Sequence, residues 1–93
     1  MCLIAEIVHS CSNEKVAQAA VASIGSDFAG KVGSRASAYG MSIGAFTARA
    51  VLQFDRSVGE DERILLRQAM RGADQPILFG LHRILQPVIE TVD

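Results

Sequence analysis

Few side chains in this chain are of a type and spacing to do chemistry. Cys2, His9 and Cys11, with Glu6 as a fourth ligand, gather the sulfur and imidazole donors of the first eleven residues. Zinc binding from such donors has recurrent spacings, C-x-x-C or H-x-x-x-H, and neither is present. His9 and Cys11 stand two apart, which aligns them on a strand and separates them on a helix. The expectation is no metal and no cofactor, with buried thiols and a surface histidine. Arg63, Arg67 and Arg71 recur every four residues, so a helix would line three guanidiniums along one face, each able to grip a phosphate. Glu60 and its acidic neighbours crowd the same segment, and a solvated, internally compensated face is the expectation. His82 sits beside Arg83 without a second histidine or carboxylate at helical spacing, and reads as an exposed residue rather than a base. No serine lies in a nucleophile elbow, no glycine loop has phosphate-binding spacing, and no carboxylate pair flanks an apolar signature. Catalysis is not expected.

The elements that would position these groups read as helices. Leu3, Ile4, Ile7, Val8 and Cys11 form one helical stripe, with a short N-terminal strand as the alternative. Ser10, Ser12 and Asn13 offer caps for a segment whose inner face is Val16, Ala17, Ala20, Val21 and Ile24, and Gly25 closes it. The two stripes are nearly in phase, so one helix with a weak joint is a second description. Ser57-Val58-Gly59-Glu60 matches a capping box at the start of the arginine-bearing helix, and Gly72 ends it. Asp74 and Pro76 open a last helix with the cleanest pattern in the chain: Ile77, Leu81, Ile84, Leu85, Val88 and Val92. Pro87 inside that pattern predicts a kink or an early end.

Between these lies Asp27 to Phe54, DFAGKVGSRASAYGMSIGAFTARAVLQF, two short helices meeting at Tyr39-Gly40-Met41-Ser42. Phe28, Val32 and Ala36 precede the turn; Phe46, Ala50, Val51 and Phe54 follow it. Gly40 stands where a left-handed C-cap belongs and Ser42 where a helix is capped. Glycine within a helix costs about 1 kcal/mol relative to alanine, so Gly30, Gly33 and Gly44 point to tight packing. Phe28, Gly33, Ala36, Gly40, Gly44, Phe46 and Ala48 are the expected packing residues, within the chain or between two copies.

This pair resembles the helical part of the ribbon-helix-helix family of bacterial repressors and antitoxins, over residues 27–56. The resemblance implies a DNA-binding transcriptional regulator. Gln18 would read base edges, Lys31, Arg35 and Arg49 would contact DNA, and the amides near Ser42 would hold a phosphate. The segment corresponding to the family's base-reading strand, Gln18 to Ile24, is alanine-rich and favours helix over strand.

Bulk composition frames these candidates. Ninety-three residues make a single domain, 49% apolar but with no Trp, one Tyr and four Phe, so its core is aliphatic. Such a core is marginal for one chain, and a homodimer is the expected remedy. The net charge of −1 excludes the globally basic signature of a protein that coats nucleic acid. Two cysteines do not make a disulfide framework, and the start MCLIAEIVHSC lacks the basic n-region and sustained apolar run of a secretory signal. The longest stretch free of formal charge, Ala36 to Ala48, is too short and polar to span a bilayer. The fold expected is an all-α bundle of four or five short helices. The function expected is a cytoplasmic, homodimeric interaction or regulatory protein without catalytic activity. A protein partner or duplex DNA would be its other binding partner, and a metal- or small-ligand-binding domain is the least favoured alternative.

Overall fold

Six helices follow one another in the computed structural model, which describes residues 3–90: α1 (Leu3–Cys11), α2 (Glu14–Ile24), α3 (Ser26–Ala38), α4 (Ile43–Ser57), α5 (Glu60–Arg71) and α6 (Pro76–Glu90). Cys2 and Val92 lie outside the described residues. The bundle is all-helical, with one helix more than the upper expectation, and no strand is present among the described residues. The N-terminal stripe is helix α1 rather than the alternative strand. The extra helix arises because α1 and α2 are separate. The Asn13 carboxamide accepts the amides of Lys15 (2.9 Å) and Val16 (3.3 Å), capping α2 and breaking the run from α1. Gly25 then ends α2 in extended backbone and leads directly into α3.

The hairpin of α3 and α4 is built as its residues dictate. Gly40 adopts φ 68°, a left-handed conformation that a side chain disfavours. Around it the Gly40 amide donates to Ser37 O (3.0 Å) and the Met41 amide to Ala36 O (2.9 Å), the paired closure of a Schellman motif. Ser42 caps α4 by accepting the Ala45 amide at 3.1 Å. One local expectation fails. The capping box at Ser57 does not form: Ser57 remains in α4, its hydroxyl donating to Gln53 O at 2.7 Å, and Gly59 starts α5 without a side-chain cap. Serine back-bonding within its own helix has satisfied the hydroxyl that the box required. Of the two outcomes expected at Pro87, an early end is not seen: α6 continues to Glu90.

The core is aliphatic, as composition implies. Ile4, Ile7, Val21, Val32, Val51, Met70, Leu81 and Leu85 are its largest fully buried apolar members, and α4 runs through the middle against α1, α2, α3 and α6. The most extensive helix pairing is α2 with α4, not α3 with α4. At Gly44 the approach is backbone to backbone: a Cβ there would fall on the carbonyl oxygen of Glu14 and 2.8 Å from its carbonyl carbon. The tightest approach in this region is thus between α4 and the start of α2, while α3 and α4 also pack on each other. Gly33 meets only the end of the Ile43 side chain, at 3.3 Å from a built Cβ, and Gly30 faces open space. Gly80 lets α6 settle on α1 and α5, where a Cβ would stand 2.6 Å from Ile7 Cδ1 and 2.7 Å from Met70 Sδ. The radius of gyration, 12.3 Å, is that of a close-packed chain of this length, so the core closes within one copy.

Candidate functional site

At the C-terminal end of α4 the packing opens. The last turns of α4, the end of α3, the first half of α5 and the second half of α6 surround a groove with a main cavity of about 430 Å³. A side cavity of about 220 Å³ adjoins it; Phe54, Glu62, Arg83 and Pro87 line both, so the two form one feature. The floor is apolar, from Ala50, Phe54, Ile84 and Val88. These positions belong to the same helical stripes that build the core; where the helices diverge Phe54 and Val88 are left half-buried, while Ala50 and Ile84 are buried. The α3 wall carries Arg35 and Tyr39, the α6 wall Arg83, and the α5 wall Glu62 with Leu65 and Leu66.

Electrostatics divide this groove. Arg83 lies over the Phe79 ring, 5.9 Å from its centroid, and pairs with no carboxylate within 4.0 Å among the described residues. Arg35 is half-buried, and its Nε is enclosed without a hydrogen-bond partner. Glu62, on the opposite wall, is exposed and likewise makes no ion pair. The ion pair found among the described residues is Arg63 with Asp55: Nη1 to Oδ1 at 3.0 Å, with Nη2 donating to Asp55 O at 2.8 Å. Arg63 is therefore anchored across to α4 rather than compensated on its own helix. Arg67 and Arg71 share its spacing but make no ion pair among the described residues.

Other clusters carry less chemistry. A cavity of about 460 Å³ between the end of α2 and the start of α6 is lined by Ser23, Asp74 and His82 among others. These three are of catalytic type, yet no hydrogen bond joins them. Ser23 Oγ donates to Ala19 O at 2.9 Å, and the His82 ring packs on Phe28 with centroids 4.6 Å apart. His82 is accordingly half-buried rather than freely exposed. No group of three or more His, Cys, Asp or Glu side chains converges to hold a metal among the described residues. Cys11 is buried in the core while His9 is exposed, the separation expected of residues two apart on a helix. Burial pushes the Cys11 thiol up, away from the reactive thiolate.

The residues named for DNA are dispersed. Gln18 is exposed on α2, so residues 18–24 are helix where the ribbon-helix-helix likeness would need its strand. Lys31 and Arg35 share a face of α3, and Arg49 is exposed on α4 with Nη1 3.9 Å from Met41 Sδ. Ser42 Oγ donates to Glu14 Oε1 at 3.2 Å, so a carboxylate already stands beside the N-terminus of α4 where a phosphate would go. Of the packing residues, Ala36, Gly44 and Phe46 are buried, Phe28, Gly33 and Ala48 are half-buried, and Gly40 is exposed in the turn. Sequence reasoning missed the groove. Its walls come from positions 35, 62 and 83, and nothing local links them.

No helix among the described residues is long and apolar enough to cross a membrane. Compared with protein-family models, with curated proteins and with solved structures, the chain matches none.

Proposed function

We propose that this protein is a small interaction module without catalytic activity, and that it works as a homodimer whose binding face is the groove at the end of α4. One observation carries this most directly. Leu65, 64% exposed, stands on the rim of an apolar floor made by Phe54 and Pro87. An exposed apolar side chain continuous with an apolar trough gives an association surface an apolar centre to bury. The near-neutral net charge and the ring-poor core also favour association. Sedimentation equilibrium of the purified chain tests the proposal. A species of twice the chain mass at micromolar concentration is expected; a monomer persisting at several hundred micromolar contradicts it.

A ribbon-helix-helix-like regulator comes second. The Gly40 and Ser42 turn supports it, whereas helix at 18–24 and Glu14 at the start of α4 weigh against it. Duplex DNA binding that weakens steeply with salt is its signature, and no binding at low salt removes it.

A further inference from the structure

We infer that the groove face is self-complementary about a two-fold axis, with Glu62 and Leu65 of one copy docking against Arg83 and the Phe54–Pro87 floor of the other. This rests on the homodimer reading and names the surface that joins the copies. Glu62 and Arg83 line the same two cavities from opposite walls, α5 and α6. Both are exposed, and they do not pair with each other within one chain. Phe54, Leu66 and Pro87 line the side cavity with them and make its apolar surface. A patch with acid on one side, base on the other and an apolar strip between satisfies itself when turned by 180°. Rotation about an axis through the strip sets each Glu62 opposite the other copy's Arg83, twice over. Arg35 extends the basic side along α3, and Asp61 extends the acidic side one turn before Leu65.

Burial of Leu65 supplies the affinity and the charges supply the register. An exposed ion pair contributes little by itself, but like charges placed across an interface are strongly unfavourable. The apolar centre with charges at its edges also matches the ordinary layout of a dimer contact, an apolar core within a polar rim. An unrelated acidic or basic partner would satisfy only one half of this patch. A second copy satisfies both.

The test is sedimentation equilibrium on the full chain as wild type, Arg83→Glu, Glu62→Arg, and an equal mixture of the two variants. Both positions are exposed, so at a concentration low enough that the wild type is monomeric, thermal melting of each variant should match it. Each variant alone is expected to dissociate, its dimer Kd rising at least about tenfold because like charges now face each other. In the mixture every cross-axis pair is again of opposite sign, and association returns to near the wild-type level. The double variant Arg83→Glu/Glu62→Arg in one chain should likewise dimerise, and it stands in for the mixture if either single variant folds poorly. A dimeric wild type whose variants stay dimeric, or whose mixture and double variant stay monomeric, overturns this interface and leaves homodimerisation intact. A monomeric wild type removes both.

Discussion

At its N-terminal end α4 is sealed against α2: the Ser42 hydroxyl is bonded to the Glu14 carboxylate, and Gly44 admits the Glu14 backbone where any side chain would collide. At its C-terminal end the same helix parts from its neighbours and leaves Phe54 beside a groove walled by Arg35, Glu62 and Arg83. The small residues of the Asp27–Phe54 stretch were candidates for either an internal or an intersubunit contact. Gly44, the tightest of them, is consumed inside the chain. The surface proposed for a partner is instead made of larger apolar and charged side chains, which bury more area and can fix a register. Close packing and the proposed binding face thus occupy opposite ends of one helix.

The largest expected effect lies at the sealed end. Gly44→Ala should lower stability by about 2–3 kcal/mol, since the obstacle is backbone and cannot rotate away. Urea unfolding would show this as a lower midpoint; an unchanged midpoint would mean that α2 and α4 are not in such close approach. Next comes the open end. Leu65→Asp should leave unfolding within about 0.5 kcal/mol of wild type when both are measured as monomers, as surface changes do, while abolishing dimerisation in sedimentation. An intact dimer would remove Leu65 from the interface.

A third change sharpens the contrast from within the sealed region. Thr47 is fully buried in α4, and its hydroxyl has no hydrogen-bond partner. Thr47→Val keeps the side-chain shape and removes the unsatisfied group, and should stabilise by about 1 kcal/mol in the same urea experiment. Loss of stability would indicate that the hydroxyl finds a partner. The smallest effect belongs to Gly30, whose missing Cβ faces open space; Gly30→Ala should gain about 0.5–1 kcal/mol from helix propensity alone.

What the sequence disclosed was local. The stripe Val32, Ala36, Phe46, Ala50 and Val51 is buried, the Gly40 turn closes as glycine allows, and Pro76 opens α6, because each follows from neighbours within about one turn. The break at Asn13 was also visible as a capping residue, although phase alone left one or two helices open. The ambiguity at Ser57 had a physical origin: a serine next to a helix end can cap the next helix or bond back into its own, and here it does the latter. Long-range choices were illegible. Nothing near Gly44 says that Glu14 will lie over it, nothing near Arg63 names Asp55, and nothing joins Glu62 to Arg83 until α5 and α6 are folded together.

Backbone amide chemical shifts followed on dilution test the division of α4 most directly. As the dimer dissociates, shifts should move at residues 53–66 and 83–88 and stay constant at residues 14–17 and 42–47. Movement concentrated at the Glu14–Gly44 contact, or no concentration dependence anywhere, would contradict it.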